Sequence, residues 1–369
     1  MKSFGVNEIS NLRVLGRTTA CREPLTLFWT GSGVECNVKA SELWVEIEAD
    51  YDSYEPWMSV VINGAYISRQ MLEKGKKWIC LFRNMNPEVI KNVKVLKETP
   101  AMPLDTAHCV QIHGFKTDGT FEALEDKAYK IEFIGDSITS GEGSIGAMQE
   151  QDWISMWFST SNNYAVMTAN ALNADYHIIS QSGWGVLSGW DNNPYSALPL
   201  YYDKVCGLLN GEKNKALGAN ETYDFASWQP DVIVINLGTN DSGAFNSPEW
   251  KDEVTGKIYK NHLNEDGTYN EEDLNAIKEA MIDFLMKLRS YNPKAQLVWA
   301  YGMLDIPMET TICSAIEVYQ AKTDDQSVSY LRLPNTTNET IGARWHPGVK
   351  AHEEAAKVLK EYLNKLLNS

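Results

Sequence analysis

Three short runs in this chain bring together residue types that can do acyl-transfer chemistry. The first is Phe133-Ile134-Gly135-Asp136-Ser137-Ile138-Thr139-Ser140-Gly141. The second is Val234-Ile235-Asn236-Leu237-Gly238-Thr239-Asn240-Asp241, and the third is Trp345-His346-Pro347-Gly348. A serine hydroxyl is a poor nucleophile until a base removes its proton, and a histidine does this near neutral pH. Attack on an ester carbonyl creates an oxyanion that needs preorganised donors, and a side-chain amide such as that of Asn240 is one. Each residue also has a plainer reading. Ser137 can cap a turn after a strand, Asn240 can close a turn, and Asp136 can brace its loop. A phosphatase-type aspartyl nucleophile is set aside, because that chemistry wants a second Asp two residues on and position 138 is Ile. The remaining histidines, His108, His113, His177, His262 and His352, have no comparable setting and read as packing or surface residues.

The elements that position these runs lie in the second part of the chain, whose texture differs from the first. Over 1–125 the apolar segments are short and alternating. Glu42-Leu43-Trp44-Val45-Glu46-Ile47-Glu48 puts Leu, Val and Ile on one face, and Met58-Ser59-Val60-Val61-Ile62 runs into the hairpin signal Asn63-Gly64. Trp78–Phe82, Val93–Leu96 and Val110–Phe115 add further strands, which predicts an antiparallel β-sandwich. Over 126–369 strand runs alternate with helical stretches. Ile131–Ile134, Tyr176–Ile179, Val232–Leu237, Leu297–Tyr301 and Val328–Leu333 read as buried strands; Tyr164–Leu172, Leu274–Leu288 and Val349–Leu367 read as helices. This predicts a five-stranded parallel sheet in a three-layer α/β/α domain, the overall class being α/β. Residues 241–270 read as a long polar loop. Ligands of such sheets gather at the carboxyl ends of the strands, where the first two runs fall.

Composition narrows the partners. The 369 residues carry 33 Lys plus Arg against 49 Asp plus Glu, a net charge of −16, which repels phosphate backbones and anionic lipid heads. Nucleic acid and membrane are therefore not expected partners, and neutral substrates suit the chain better than polyanions. No run approaches the roughly 18 apolar residues of a membrane helix, and the start, MKSFGVNEISNLRV, lacks the apolar stretch of a signal peptide. A cytoplasmic location is the expectation. Six scattered cysteines without a metal-ligand spacing read as reduced, mostly buried thiols, so neither a structural zinc nor a disulfide framework is expected, and the acyl-transfer chemistry above requires no metal or other cofactor.

Together the three runs resemble the SGNH (GDSL-type) hydrolase superfamily, with Ser137, Asn240 and His346 at the matching places. The remaining member is a glycine after the second strand, and Ile179-Ser180-Gln181-Ser182-Gly183-Trp184-Gly185 supplies Gly183, with Gly185 close by. The resemblance implies an oxyanion hole built from the N–H groups of Ser137 and Gly183 and the Asn240 amide. One position departs from the pattern. The superfamily usually carries an Asp three residues before the histidine, and here that residue is Ala343. Either a backbone carbonyl or a distant carboxylate such as Asp305 must then orient His346, and a Ser–His dyad is the favoured expectation.

A β-sandwich ahead of such a domain is similar to carbohydrate esterase family 2, in which a jelly roll precedes the hydrolase and some members lack the acid. The resemblance implies a serine esterase that removes acetyl groups from mannan- or xylan-derived oligosaccharides. Trp153, Trp157, Trp184, Trp190 and Trp345 lie near the runs, and stacking on sugar rings suits a neutral ligand. Trp184 and Trp345 are the expected platforms, although a tryptophan is more often core. The rivals are a lipid or aryl esterase on the same machinery, and a carbohydrate-binding protein whose activity left with the acid.

Overall fold

The protein is described here by a computed structural model covering residues 1–368. The alternating segments of the first part form two antiparallel sheets. One runs in the order Lys2–Gly5, Cys109–Thr117, Leu43–Asp50 and Gly75–Phe82, with Leu25–Thr26 also paired to Cys109–Thr117. The other runs Thr120–Glu122, Gly33–Lys39, Ile90–Lys97, Trp57–Ile62 and Ala65–Met71, with Arg13–Leu15 on Gly33–Lys39. Inward residues of both sheets, among them Val34, Val38, Val45, Ile47, Val60, Val95 and Ile112, share one core, as period-2 patterning requires. Asn63 and Gly64 sit at φ 51° and 80°, the left-handed pair that a tight two-residue hairpin demands.

Beyond residue 128 all five expected strands form one parallel sheet. They are β1 (Tyr129–Gly135), β2 (Ala174–Ser180), β3 (Val232–Asn236), β4 (Gln296–Gly302) and β5 (Val328–Leu333), in the order β2-β1-β3-β4-β5. Successive residues of each strand feed opposite layers. Phe133, Val234 and Val298 face α2 (Tyr164–Ala171) and α6 (Val349–Leu367). Ile134, Ile235 and Trp299 face α4 (Glu271–Tyr291) and α5 (Glu309–Thr323). Strands buried on both faces read as unbroken apolar runs, which is why they stand out in the sequence.

Residues 241–270 are a correction. They hold the end of a short helix, α3 (Thr239–Ala244), and a small hairpin pairing Trp250–Lys251 with Ile258–Tyr259. Helix α5 was not anticipated either, since its buried stripe of Ile312, Ala315, Ile316 and Tyr319 stands out little against the Cys313, Val318 and Ala321 around it.

The two parts join through a buried junction. Arg17 pairs with both carboxylate oxygens of Glu132 of β1, its Nη2 donating to Oε2 at 2.9 Å and to Oε1 at 3.2 Å. Its guanidinium lies 4.4 Å from the ring centres of both Tyr202 and Tyr223. Trp29 donates its indole N–H to the Val205 carbonyl at 2.7 Å.

Candidate active site

The carboxyl end of β1 builds the first half of the site. Asp136, fully buried, accepts the Ile138 N–H at 3.0 Å and so caps α1 (Ser137–Ser140), placing Ser137 first in that helix. Burial pushes the Asp136 carboxyl up to about 7 against these hydrogen bonds. The second half comes from the loop before α6, where Gly342 N–H meets the His346 carbonyl at 2.7 Å and His346 N–H meets the Ala343 carbonyl at 3.0 Å. This folds His346 back so that its Nε2 lies 2.9 Å from Ser137 Oγ. Its Nδ1 lies 2.8 Å from the Arg344 carbonyl, which can only accept. Nδ1 therefore carries the proton and Nε2 is left free to take one from the serine.

The missing acid is thus replaced locally. Asp305 is exposed and caps the following N–H of Ile306 at 3.1 Å, while His346 is oriented by a main-chain carbonyl. Arg344 and Trp345 adopt φ 54° and 57°, a left-handed pair of non-glycine residues that aims that carbonyl at the imidazole. Such residues are strained by roughly 1–3 kcal/mol each and persist only where their surroundings hold them.

The loop after β2 supplies the other wall. Gly183 has φ 80°, and among the described residues neither its N–H nor that of Ser137 meets an acceptor. Gly185 is not the donor: its N–H meets the Ser196 carbonyl at 3.1 Å, and its Cα packs on Asp241. Asn240 stands at the start of α3, and its amide nitrogen lies 3.1 Å from Asp136 Oδ2 and 3.0 Å from the Trp184 carbonyl. The adjacent Asp241, fully buried, accepts the N–H groups of Val186 at 2.9 Å and Leu187 at 2.8 Å, which fixes the Gly183 loop. Sequence reasoning passed over Asp241, although its place beside Asn240 was the available signal.

These groups open into a cleft of about 780 Å³. Trp184 lines it, tilted against Tyr201 at 5.3 Å between ring centres, and Trp153, Trp190 and Tyr195 add further aromatic wall. The antiparallel part contributes Tyr54, Met102, Pro103 and Leu104. Trp345 corrects the expectation: the turn that aims the Arg344 carbonyl leaves it 59% exposed and off the cleft wall. Among the described residues no cluster of three or more His, Cys, Asp or Glu is placed to hold a metal ion, and no helix is long and apolar enough to cross a membrane.

Comparison with known proteins is consistent with this geometry. Residues 131–359 match the family model of GDSL-like lipase/acylhydrolases. An acetyl xylan esterase, Est2A, from the rumen bacterium Butyrivibrio proteoclasticus is 49% identical with a TM-score of 0.98, all of both chains being covered. A family two carbohydrate esterase from Clostridium thermocellum, solved with cellohexaose, is 23% identical with a TM-score of 0.78, covering 97% of this chain and 99% of that one, and shares the fold. The cellulase/esterase CelE of Acetivibrio thermocellus is 27% identical over 346 residues, which is 92% of this chain but only 37% of CelE. An acetylxylan esterase / glucomannan deacetylase of Cellvibrio japonicus is 36% identical over 145 residues, 37% of this chain and 38% of that protein.

Proposed function

The chain belongs to the GDSL-like lipase/acylhydrolase family, and on that premise we propose that it is a carbohydrate esterase removing O-acetyl groups from mannan- or xylan-derived oligosaccharides. The observation that carries the reading is the 2.9 Å contact between Ser137 Oγ and His346 Nε2 at the base of an aromatic cleft. The names of the similar proteins support the substrate class.

In this reading Ser137 Oγ attacks the acetyl carbonyl and its proton passes to His346 Nε2. The oxyanion is held by the N–H groups of Ser137 and Gly183. A third donor is the Asn240 amide, because a full negative charge outcompetes the neutral Trp184 carbonyl for one of its protons. Collapse of the intermediate expels the sugar oxygen, which takes the proton back from His346, and leaves acetyl-Ser137. His346 then deprotonates a water that releases acetate. Trp184 serves as the sugar platform. We also place the division between sandwich and hydrolase regions at 125/126, with the cleft drawing walls from both.

The test is acetate release from acetylated manno- and xylo-oligosaccharides by the protein and by Ser137→Ala. Release lost in the variant supports the reading and ranks the two sugars. Turnover confined to long-chain acyl esters would move the substrate to lipids. Sugar binding with no turnover of any ester would leave a binding protein.

A further inference from the structure

The reaction proposed above develops positive charge on His346, and a backbone carbonyl stabilises an imidazolium less than a carboxylate does. An acid cannot be restored at the usual place. Ala343 is fully buried with its Cβ packed on Gly146, so closely that a Cβ on Gly146 would approach it to 2.4 Å. A carboxylate stands nearby on a different segment. Glu142, whose side chain is 3% exposed, places Oε1 2.8 Å from Arg344 Nε and 4.0 Å from His346 Nε2. Its own N–H meets the Ser137 carbonyl at 3.0 Å, so it is tied to the nucleophile's helix as well.

We infer that Glu142 and Arg344 are a positioning pair that replaces the absent acid, Arg344 by holding the carbonyl that orients His346 and Glu142 by supplying the negative charge. Arg344 is anchored at three points: its Nε to Glu142, its Nη1 to the Gln151 carbonyl at 2.9 Å, and its backbone N–H to the Glu150 carbonyl at 2.8 Å. Those anchors hold the left-handed conformation that turns the Arg344 carbonyl toward Nδ1. Two other titratable groups stand near the dyad. His352 on α6 is kept neutral by burial, which pushes it down to about 3, and Asp136 lies beyond Ser137 and carries a raised value of about 7. The pair therefore joins the segment bearing the nucleophile to the segment bearing the base, which span opposite ends of the domain's sequence.

This inference deepens the proposed reaction and rests on it, but its test does not need turnover. Glu142 lies 4.0 Å from His346 Nε2 and Arg344 offsets that carboxylate from 2.8 Å, so their neutral variants must act in opposite directions. In Glu142→Gln the imidazole titration, followed by NMR of labelled histidine and assigned with His346→Asn, moves to lower pH. In Arg344→Gln it moves to higher pH. With an acetyl ester, kcat falls about 10- to 100-fold in Glu142→Gln while KM stays within about twofold, less than the roughly 10²–10⁴-fold of a group that itself transfers the proton. The acid limb of kcat/KM moves the same way as the titration. Arg344→Lys keeps the charge and recovers most of the kcat lost in Arg344→Ala. Titrations that both stay put, or both move the same way, would overturn the inference. If Glu142→Gln does not fold, the Arg344→Gln titration decides alone, and an unmoved or downward shift there overturns it. Wild-type protein that cleaves no ester at all would instead sink the proposed function and leave the titration result standing.

Discussion

Both regions of the molecule bury charge, but they use it differently. In the parallel-sheet region the buried acids Asp136, Asp241 and Glu142 sit just beyond strand ends, and each holds a loop that lines the cleft. In the antiparallel region Arg17, Lys91 and Lys97 bind carbonyls or, for Arg17, a carboxylate across the junction, while an acid there that resembles the first group, Asp105, accepts the N–H groups of Asp52, Ser53 and Tyr54 at the cleft edge. Burial of a charge therefore does not by itself mark a reactive site. What distinguishes the first group is its position at the carboxyl ends of parallel strands, where loop ends converge and backbone donors are left free. The second group serves assembly, with Lys97 donating to the Thr99 and Pro100 carbonyls at 2.6 Å and 2.7 Å.

The sharpest way to break this comparison is to set Ser137→Ala against Arg17→Ala. Ser137→Ala is expected to lower kcat by about 10⁴-fold or more with the unfolding midpoint unchanged. Arg17→Ala strands the buried Glu132 charge and is expected to cost about 3–5 kcal/mol of stability by denaturant titration. Equal losses of stability in both would erase the distinction. Next in size, Asn240→Ala should lower kcat by about 10²–10³-fold in steady-state assays, as loss of one oxyanion donor does. A loss under about threefold would remove it from the oxyanion hole.

The two regions should also answer pH with opposite sign. Burial pushes Asp136 up to about 7 from 3.8, so its folded form keeps a proton that the unfolded chain releases. Its contribution is full below about pH 4 and is lost as pH rises through about 7. Burial pushes Lys97 down to about 7 from 10.5, so the unfolded chain binds the extra proton and stability is gained as pH rises over that window. Urea midpoints of the protein relative to Asp136→Asn should fall between about pH 4 and 7, and relative to Lys97→Met should rise above about pH 7. Flat differences would mean that neither group is held as described. The smallest effect concerns recognition. Trp184→Ala should raise KM for an acetylated oligosaccharide about 3- to 10-fold, the size of one aromatic contact. A similar rise in Tyr54→Ala would bring the antiparallel region into recognition, and an unchanged KM would confine recognition to the parallel-sheet side.

Much of this was legible along the chain because the responsible forces are local. The five strands of the parallel sheet are continuous apolar runs since both of their faces are covered, and the hairpin at Asn63-Gly64 announces itself because few residues tolerate its left-handed pair. Helix α5 was less visible, since the face opposite its buried Ile312, Ala315, Ile316 and Tyr319 also carries Cys313, Val318 and Ala321, so the contrast between its two faces is weak. Trp345 misled for a related reason: adjacency to His346 in sequence says nothing about a side chain when the backbone between them turns left-handed.

The amino-acid sequence by itself determined the two-part architecture and the absence of an acid at Ala343, and through its family resemblance it pointed to Ser137, His346, Gly183 and Asn240 as the expected site residues. The architecture follows from periodicity and short-range turn chemistry, and the site residues from the resemblance that their runs carry. Only the tertiary structure decided that the Arg344 carbonyl orients His346, that Asp241 pins the Gly183 loop, and that the antiparallel region closes one side of the cleft. It also brought Glu142 to 4.0 Å from an imidazole far along the chain. Such contacts join segments whose meeting depends on the packing of the whole sheet, and no local pattern in either segment encodes its partner.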